Sequence, residues 1–552
     1  MSKSDSFPRR HSFRVWLGLG LLGCVGCSVL SDVELGAGFG KHCQTSADCQ
    51  SAECIPSTLL SATESGICAS RCTTATDCPD GTSCAGGLCQ VQRTVGFALP
   101  ESVKLSEPRD VPSYLSLRAH VDAAAQLSKS VPYVVTEQKF PALSGNMIAE
   151  LRALAMRNDI VIGHTPEVLP NLNILAAELP ARSFFAVNGG TYYQLADRGP
   201  RVGTLWVRRE EAWFVAGRLA GSAAAKRIGV IAGAITPETI RNINAFTLGA
   251  RRQNASIKVE VRYLGAAADL NSAPTYDYKD IAGTITGPKL YREELLARQL
   301  VDTGCEVIGD MSSNQRAMKL LTSTVNPART SPLKKIPILV SGIKDGCLTD
   351  SGTADKDSCM GAVYDNWSGI YQRAVETVHR QLLTPGTAVE AAMSNDTESA
   401  VGVAINSVYP NALDFDARVG DYIDELLLQP AGKRVFIGPL KANGQRDADD
   451  NTLPDASQQV AAGVVLSDTE VATMCYFVDG VVEPWDTGKK DGMGKPVVEE
   501  RAAVVPGGLV PGATTLESEA SLPMPLLDKL ALPDRQSSSC RKNAKWIYRT
   551  NG

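Results

Sequence analysis

Residues 227–254, RIGVIAGAITPETIRNINAFTLGARRQN, predict one strand, one turn and one amphipathic helix in succession. The apolar, β-branched run at 228–231 is typical of a short buried strand. Thr236 followed by Pro237 is typical of a helix start, because proline is tolerated at the first helical position. Apolar residues then recur at helical spacing, at Ile240, Ile243, Phe246, Thr247 and Ala250. One helix face therefore packs on a sheet, and the turn is left to contact a ligand.

The chain from residue 94 onward alternates short apolar runs with helical patterns, which is typical of βαβ units and a parallel sheet. Helical spacing predicts helices at 114–128 and 143–157. The predicted strands lie at 95–99, 131–135, 159–163, 184–187, 228–231, 259–263, 306–309 and 336–340. The sequence therefore predicts an α/β fold.

Four blocks resemble the basic membrane protein (PnrA-like) family, the purine nucleoside-binding lipoproteins of bacterial ABC importers. They are WFVAGRLAG at 213–221, the segment quoted first, GCEVIGDMSSNQ at 304–315, and VFIGPLKANGQ at 435–445 followed by LSDTEVATMCYFVDGV at 466–481. The resemblance implies a periplasmic-binding-protein type I fold, in which two Rossmann-like lobes joined by a hinge close on a ligand.

A chain of 552 residues exceeds the size of a single hydrophobic core, so several domains are expected. We expect a lipoprotein signal peptide at 1–23, an anchor linker at 24–42, a cysteine-rich disulfide module at 43–92, a two-lobed solute-binding domain at 94–483 and a C-terminal extension at 484–552. Within the solute-binding domain, lobe one is expected at about 94–215 with a return after 362, and lobe two at about 225–345.

The N-terminus has the plan of an export signal, since four basic residues precede the apolar run 15–23. That run is too short to span a bilayer, which takes about 20 apolar residues. Leu21-Leu22-Gly23-Cys24 resembles a lipobox, which implies lipidation of Cys24, with Cys27 as the alternative. A plain secretory signal without lipid is the competing interpretation.

Eight of the 15 cysteines lie close together, at Cys43, Cys49, Cys54, Cys68, Cys72, Cys78, Cys84 and Cys89. An even number at close spacing in an exported segment predicts a disulfide framework whose pairing the sequence leaves open. A zinc site is the alternative. Cys347 and Cys359 bracket a polar loop and are predicted to form a further bridge, whereas Cys305 is predicted to be a buried free thiol.

Ligands of open parallel sheets bind beyond the carboxyl ends of the strands, so residues just after each strand are candidates. This rule selects His164, Asn188, Thr236, Asp310 with Ser312, and Asp345. The simpler alternatives are a capped loop residue for His164 and a solvated acid for Asp345. A purine also needs an aromatic face for stacking. Candidates for that face are Tyr114, Trp213 and Trp367, of which Trp213 and Trp367 could equally pack between the lobes.

The family resemblance implies particular roles for three of these residues. Asp345 lies where the family carries an aspartate that holds the ribose hydroxyls. Asn366-Trp367 resembles an Asn-Trp pair of one branch, which puts the usual lysine contact in doubt. Tyr114 would be the wall from the first loop, although that region departs from the family pattern.

Enzyme signatures are missing from the sequence, which has no Gly-x-Ser-x-Gly elbow, His-Glu-x-x-His helix or Walker A loop. We therefore expect binding without catalysis, and neither a cofactor nor a metal. The net charge of −5, with both signs interspersed, argues against a nucleic-acid partner. The favoured function is a lipid-anchored periplasmic binding protein that presents a purine nucleoside to an ABC permease. A ligand-sensing surface receptor is the alternative, and an enzyme is a third possibility.

Overall fold

The computed structural model describes residues 42–482 with gaps, among them 56–65, 100–113, 140–146, 188–198, 265–274, 277–288, 329–334, 349–354 and 442–458. The predicted signal peptide, both lipidation candidates Cys24 and Cys27, and the C-terminal extension lie outside the described residues. Among the described residues, no helix is both long and apolar enough to cross a membrane.

The elements up to the first crossing between lobes are as follows, in chain order. They are β1 (His42–Cys43), β2 (Glu53–Ile55), β3 (Gly66–Ala69), β4 (Thr82–Ala85), β5 (Leu88–Val91), β6 (Arg93–Ala98), α1 (Tyr114–Ser130), β7 (Val134–Lys139), α2 (Met147–Arg157), β8 (Ile160–Gly163), α3 (Leu169–Glu178), β9 (Ser183–Val187) and β10 (Val202–Val207).

The remaining elements follow the first crossing. They are α4 (Arg209–Ala223), β11 (Arg227–Ala232), α5 (Pro237–Gln253), β12 (Lys258–Tyr263), β13 (Thr275–Tyr276), β14 (Leu290–Tyr291), α6 (Arg292–Asp302), β15 (Val307–Asp310), α7 (Arg316–Leu320), β16 (Ile338–Gly342), β17 (Cys359–Asp365), α8 (Trp367–His379), β18 (Ala388–Ala391), β19 (Val401–Ile405), α9 (Ala412–Leu427), β20 (Leu440–Lys441), β21 (Gln459–Val460) and β22 (Val481–Val482).

Two sheets form the cores of the two lobes. The six-stranded sheet of lobe one has the order β18-β10-β9-β8-β6-β7, and the seven-stranded sheet of lobe two has the order β19-β17-β16-β15-β11-β12-β22. All pairs are parallel except β17 with β19. Each sheet starts at its first strand and winds outward in both directions, which is the doubly wound arrangement. The predicted fold class, two Rossmann-like lobes, is confirmed.

The segment quoted first forms β11, which extends one residue beyond the predicted run at each end, and α5, which begins at Pro237 as predicted. Helix α5 packs against α4, and their backbones approach closely at glycines. A Cβ on Gly217 would lie 2.1 Å from the Phe246 carbonyl oxygen, and one on Gly249 would lie 2.0 Å from that of Phe214. The small residues of 213–221 are therefore needed for the contact between these two helices.

The chain passes between the lobes at three places among the described residues. Strand β10 of lobe one leads into α4, which packs on α5 of lobe two. Strand β17 of lobe two leads into α8, which packs on α1 of lobe one. Strand β18 of lobe one then leads into β19, an outer strand of the lobe-two sheet. The three connections form the hinge. Strands β10 and β18 are not among the predicted strands, because Gly203 and Thr204 interrupt the apolar run of β10, and β18 has only four residues, one of which is Glu390.

The cysteine-rich module contains bridges Cys49–Cys68, Cys72–Cys84 and Cys78–Cys89. Cys43 and Cys54 belong to the short strands β1 and β2, but their side chains lie outside the described part of the chain. Cys72, Cys78 and Cys89 lie close enough to hold an ion, yet all three are oxidised. A disulfide framework is therefore confirmed for these six cysteines. The predicted Cys347–Cys359 bridge and the buried free thiol of Cys305 are confirmed too.

Candidate functional site

Each of the two sheets carries a polar residue at the point where its strand order reverses. In each lobe the strand order reverses beside the first strand, between β6 and β8 in lobe one and between β11 and β15 in lobe two. Ligands of doubly wound sheets bind at this switch point, outside the carboxyl ends of the strands. His164 directly follows β8, and Asp310 ends β15. The two predicted candidates therefore lie at the switch points.

An aromatic cluster surrounds His164 in lobe one. His120, from α1, lies edge to face with His164 at a centroid distance of 4.0 Å, and it stacks on Trp367 at 4.2 Å with 28° between the planes. Its Nδ1 lies 2.5 Å from the Tyr371 hydroxyl oxygen. Both nitrogens of His164 and the Nε1 of Trp367 are buried without a hydrogen-bond partner among the described residues. Buried polar atoms without partners are costly, so these three atoms are candidates for contact with a bound ligand.

Arg209 lies between this cluster and lobe two. Its Nε donates to Asp365 at 3.0 Å, and its Nη1 lies 3.1 Å from a Glu238 carboxylate oxygen. Burial opposes the charge of Arg209, but Asp365 and Glu238 outweigh it and hold its pKa above the usual value. Burial also raises the pKa of Asp365, against the pull of Arg209. The cation is thus neutralised by two carboxylates from lobe two.

Both histidines of the cluster are neutral at physiological pH. Burial, with the charge of Arg209 as a smaller cause, lowers the pKa of His164 to about 3. Burial, followed by His164 and Arg209, lowers the pKa of His120 well below its ordinary value. A neutral imidazole offers one donor and one acceptor, which suits the edge of a heterocycle.

His164→Gln should keep more stability in acid than the wild-type protein does. The unfolded chain takes up a proton below about pH 6.5, whereas the folded chain does not until about pH 3, so stability is lost as the pH falls through this window. The loss attributable to His164 should reach about 2 kcal/mol at pH 5. Urea unfolding at pH 8 and pH 5 measures it, and an equal loss in the variant would contradict the assignment.

Asp310 is the corresponding residue in lobe two. One of its carboxylate oxygens accepts the backbone N–H of Ser312 at 2.9 Å, and the other is buried without a partner in the part of the chain that the structure describes. Burial raises the pKa of Asp310 to about 7, with Glu293 adding to the effect and Ser312 opposing it. Ser313 has the left-handed φ of 57°, and its hydroxyl oxygen lies 3.2 Å from that of Ser341. Strained backbone beside a buried acid with a raised pKa is typical of a functional site.

Asp345 lies on an exposed turn after β16. Gln315 holds this turn, since its Nε2 donates to the carbonyl oxygens of Gly346 at 2.5 Å and Leu348 at 2.6 Å. The Cys347–Cys359 bridge ties the same turn to β17. The carboxylate is therefore free to meet solvent or a ligand while its backbone is fixed from both sides.

Three other predicted site residues, Ser312, Asn366 and Trp213, contact neighbouring residues of the protein. Ser312 is buried beside Asp310, and its hydroxyl accepts from Asn314 at 2.9 Å. Asn366 caps α8 by accepting the N–H of Ser368 at 3.3 Å. Trp213 is fully buried edge to face with Phe246 at 5.8 Å, which favours the packing interpretation.

Three predicted contacts fall wholly or partly beyond what the structure describes. Asn188 and Thr236 lie outside the described residues, and so does the side chain of Tyr114 at the start of α1.

Sequence reasoning missed the central residue of the aromatic cluster, His120, and the cation Arg209. Tyr371 lies one helical turn after Trp367, so its position beside that tryptophan could have been found from spacing. No local signal indicates His120, because its partner Tyr371 is 251 positions away.

One family of known proteins matches part of this chain. The model of the family described as ABC transporter substrate-binding protein, PnrA-like, matches residues 121–277. The predicted resemblance to the basic membrane protein family is confirmed over this stretch, and that family consists of exported substrate-binding proteins. No curated protein matches the chain.

Solved structures with a similar chain course include binding proteins and a regulator. An ABC transporter solute-binding protein from Conexibacter woesei is 17% identical, with a TM-score of 0.41, over 61% of this chain and 96% of that one. One from Aeropyrum pernix is 12% identical, with a TM-score of 0.42, over 64% and 94%. A transcriptional activator of the comK gene from Bacillus halodurans is 14% identical, with a TM-score of 0.41, over 60% and 97%. We assign the fold from the strand order of the two sheets, independently of these likenesses.

Proposed function

We propose that this protein is the substrate-binding lipoprotein of an ABC importer and binds a purine nucleoside, or a closely related compound, between its lobes. It would be exported, anchored through Cys24 to a membrane on the periplasmic side, and deliver its ligand to permease subunits. The family match at 121–277 supports the transport class. No catalytic step is part of the proposal.

The observation that carries the ligand assignment is the pair of unpartnered polar groups at the two switch points. His164 offers a neutral donor and acceptor from lobe one, and Asp310 offers a carboxyl from lobe two. The edge of a purine carries both hydrogen-bond donors and acceptors, which can pair with the imidazole of His164 and the carboxyl of Asp310. The hydroxyls of its sugar can donate to a carboxylate such as Asp345. A ligand that contacts both lobes stabilises the closed state, which is what delivery to a permease requires.

The direct test is mass spectrometry of the compound released when the purified full chain is denatured, followed by calorimetry with inosine, guanosine and adenosine. Asp345→Ala should weaken binding about tenfold, because an exposed charged hydrogen bond contributes about 1.5 kcal/mol. Asp416→Ala is the control, since it removes an equally exposed carboxylate from α9. Equal affinity in the two variants would remove Asp345 from the site, and no binding of any nucleoside by the wild type would end the proposal.

His120→Ala should bind the nucleoside about tenfold more tightly than the wild type. His120 occupies one face of Trp367, whose side chain is only 1% exposed, so a base can stack there only after His120 has moved. Stacking on an aromatic ring contributes about 1–3 kcal/mol. Tyr371→Phe, which removes the hydroxyl but keeps the rings, should change affinity less. Weaker binding by His120→Ala would instead make His120 a ligand contact.

A further inference from the structure

We propose that Arg93 and Arg201 form a binding site for a phosphate-type oxyanion at the amino-terminal edge of the lobe-one sheet, opposite the edge that carries the nucleoside site. The proposal does not depend on the identity of the transported ligand. It concerns the place where the cysteine-rich module joins lobe one, since β5 ends at Val91 and β6 begins at Arg93.

The strand register places both arginines on the same face of the sheet. Phe97 of β6 contacts Tyr371 of α8 at a centroid distance of 5.0 Å, and a Cβ on Gly203 of β10 would lie 3.1 Å from Leu383, just beyond α8. Side chains of a strand alternate between faces, so residues an even number of positions apart share a face. Arg93 precedes Phe97 by four positions and Arg201 precedes Gly203 by two, so both arginines also lie on the α8 side. Helix α8 ends at this edge with His379.

The two guanidinium groups lack negative partners among the described residues. Arg201 donates to neutral acceptors, the Ser183 hydroxyl at 2.8 Å and the Arg182 carbonyl at 3.1 Å. The Nε of Arg93 is buried without a hydrogen-bond partner. Burial, together with the charge of Arg93, lowers the pKa of Arg201. The two arginines thus lie on the same face and at the same end of the sheet, at the starts of strands β6 and β10, which β8 and β9 separate, and the charge of Arg93 disfavours that of Arg201.

Nearby acids are committed elsewhere. Asp159 binds Arg182 at 2.6 Å and accepts the N–H of Thr94 at 3.0 Å, on the opposite face of the sheet from Arg93. Glu376 pairs with Arg380. The pKa of His379 is lowered to about 4 by burial, with Arg93 and Arg380 adding to the effect. The edge thus carries a surplus of positive charge on its α8 face.

A half-buried pair of like charges is costly unless a counter-ion joins it. Guanidinium N–H groups match the oxygens of phosphate in paired hydrogen bonds, and two cations match its charge near neutral pH. The oxyanion could be free phosphate or the phosphodiester of a lipid headgroup, which the predicted lipid anchor upstream would bring near.

The test compares the full chain with Arg93→Gln and Arg201→Gln, with Arg418→Gln as the control that removes an exposed, paired arginine from α9. Calorimetry at low ionic strength uses two probes, inorganic phosphate and glycerophosphoglycerol. Either variant should weaken binding of the preferred probe at least about tenfold, and the preferred probe identifies the source. Arg418→Gln should bind like the wild type.

A thermal readout separates this site from a merely structural role. In chloride buffer Arg93→Gln should raise the melting temperature, because repulsion is relieved, and in phosphate it should lose the increase that the wild type shows. Binding of neither probe by the wild type would overturn the proposal. A melting temperature lowered equally in chloride and in phosphate would also overturn it.

Discussion

Asp310→Asn should weaken nucleoside binding at least about 100-fold and, at the same time, raise the free energy of unfolding at neutral pH. The side chain is fully buried, and one carboxylate oxygen has no partner among the residues that the structure describes. A ligand that donates to that oxygen would meet an amide N–H in the variant. Losing a hydrogen bond to a charged group and leaving its partner unsatisfied together cost about 3 kcal/mol, which is about 100-fold in affinity.

The stability change follows from the pKa of Asp310, which burial raises to about 7 from an ordinary 3.8. Between these values the unfolded chain has lost the proton and the folded chain has kept it, so wild-type stability falls as the pH rises through this window. Above about pH 7 the full difference of about 4 kcal/mol is reached, and the uncharged amide of the variant would not incur it. The variant's gain should therefore be absent near pH 3 and largest at pH 8.

Urea unfolding across pH 3–8 and calorimetry with inosine, guanosine and adenosine measure the two effects. Asp421→Asn, an exposed position on α9, is the matched control and should change neither. A variant that is less stable than the wild type at pH 8 would show that the charged form of Asp310 is needed for folding. Unchanged affinity would remove Asp310 from the ligand site.

Arg209→Met should destabilise the protein by about 3–5 kcal/mol, because it leaves a buried carboxylate unpaired. The Asp365 side chain is 2% exposed and accepts two of the guanidinium hydrogen bonds, so water cannot replace the arginine. Arg418→Met removes an exposed ion pair on α9 and should cost less than about 0.5 kcal/mol. Thermal and urea unfolding compare the two variants.

A second substitution distinguishes loss of the Arg209–Asp365 ion pair from non-specific destabilisation by the methionine. The double variant Arg209→Met with Asp365→Asn should be more stable than Arg209→Met alone, because the unpaired charge has been removed. If the second substitution brings no recovery, the ion pair is not the source of the loss. Removing Arg209 should also let His120 and His164 protonate more easily, since its charge contributes to their low pKa values.

The secondary structure of the central segments was predictable because its signals are local. Strand β11 and helix α5 follow from an apolar run, a proline at the helix start and one apolar helix face. The positions of His164 and Asp310 were predictable as well, since residues after parallel strands meet at the ligand edge of the sheet. By contrast, β10 and β18 were missed, although both belong to the hinge.

The sequence by itself determined that this protein is an α/β chain built on parallel strands with a disulfide-bonded module, because periodicity and cysteine spacing are properties of neighbouring residues. It also determined which strand ends carry polar side chains. Only the tertiary structure decided which of these groups lack partners, that His120 covers Trp367, and that Arg209 pairs with Asp365. These are contacts between residues more than 150 positions apart along the chain, and burial and charge pairing at such separations depend on how the two lobes pack.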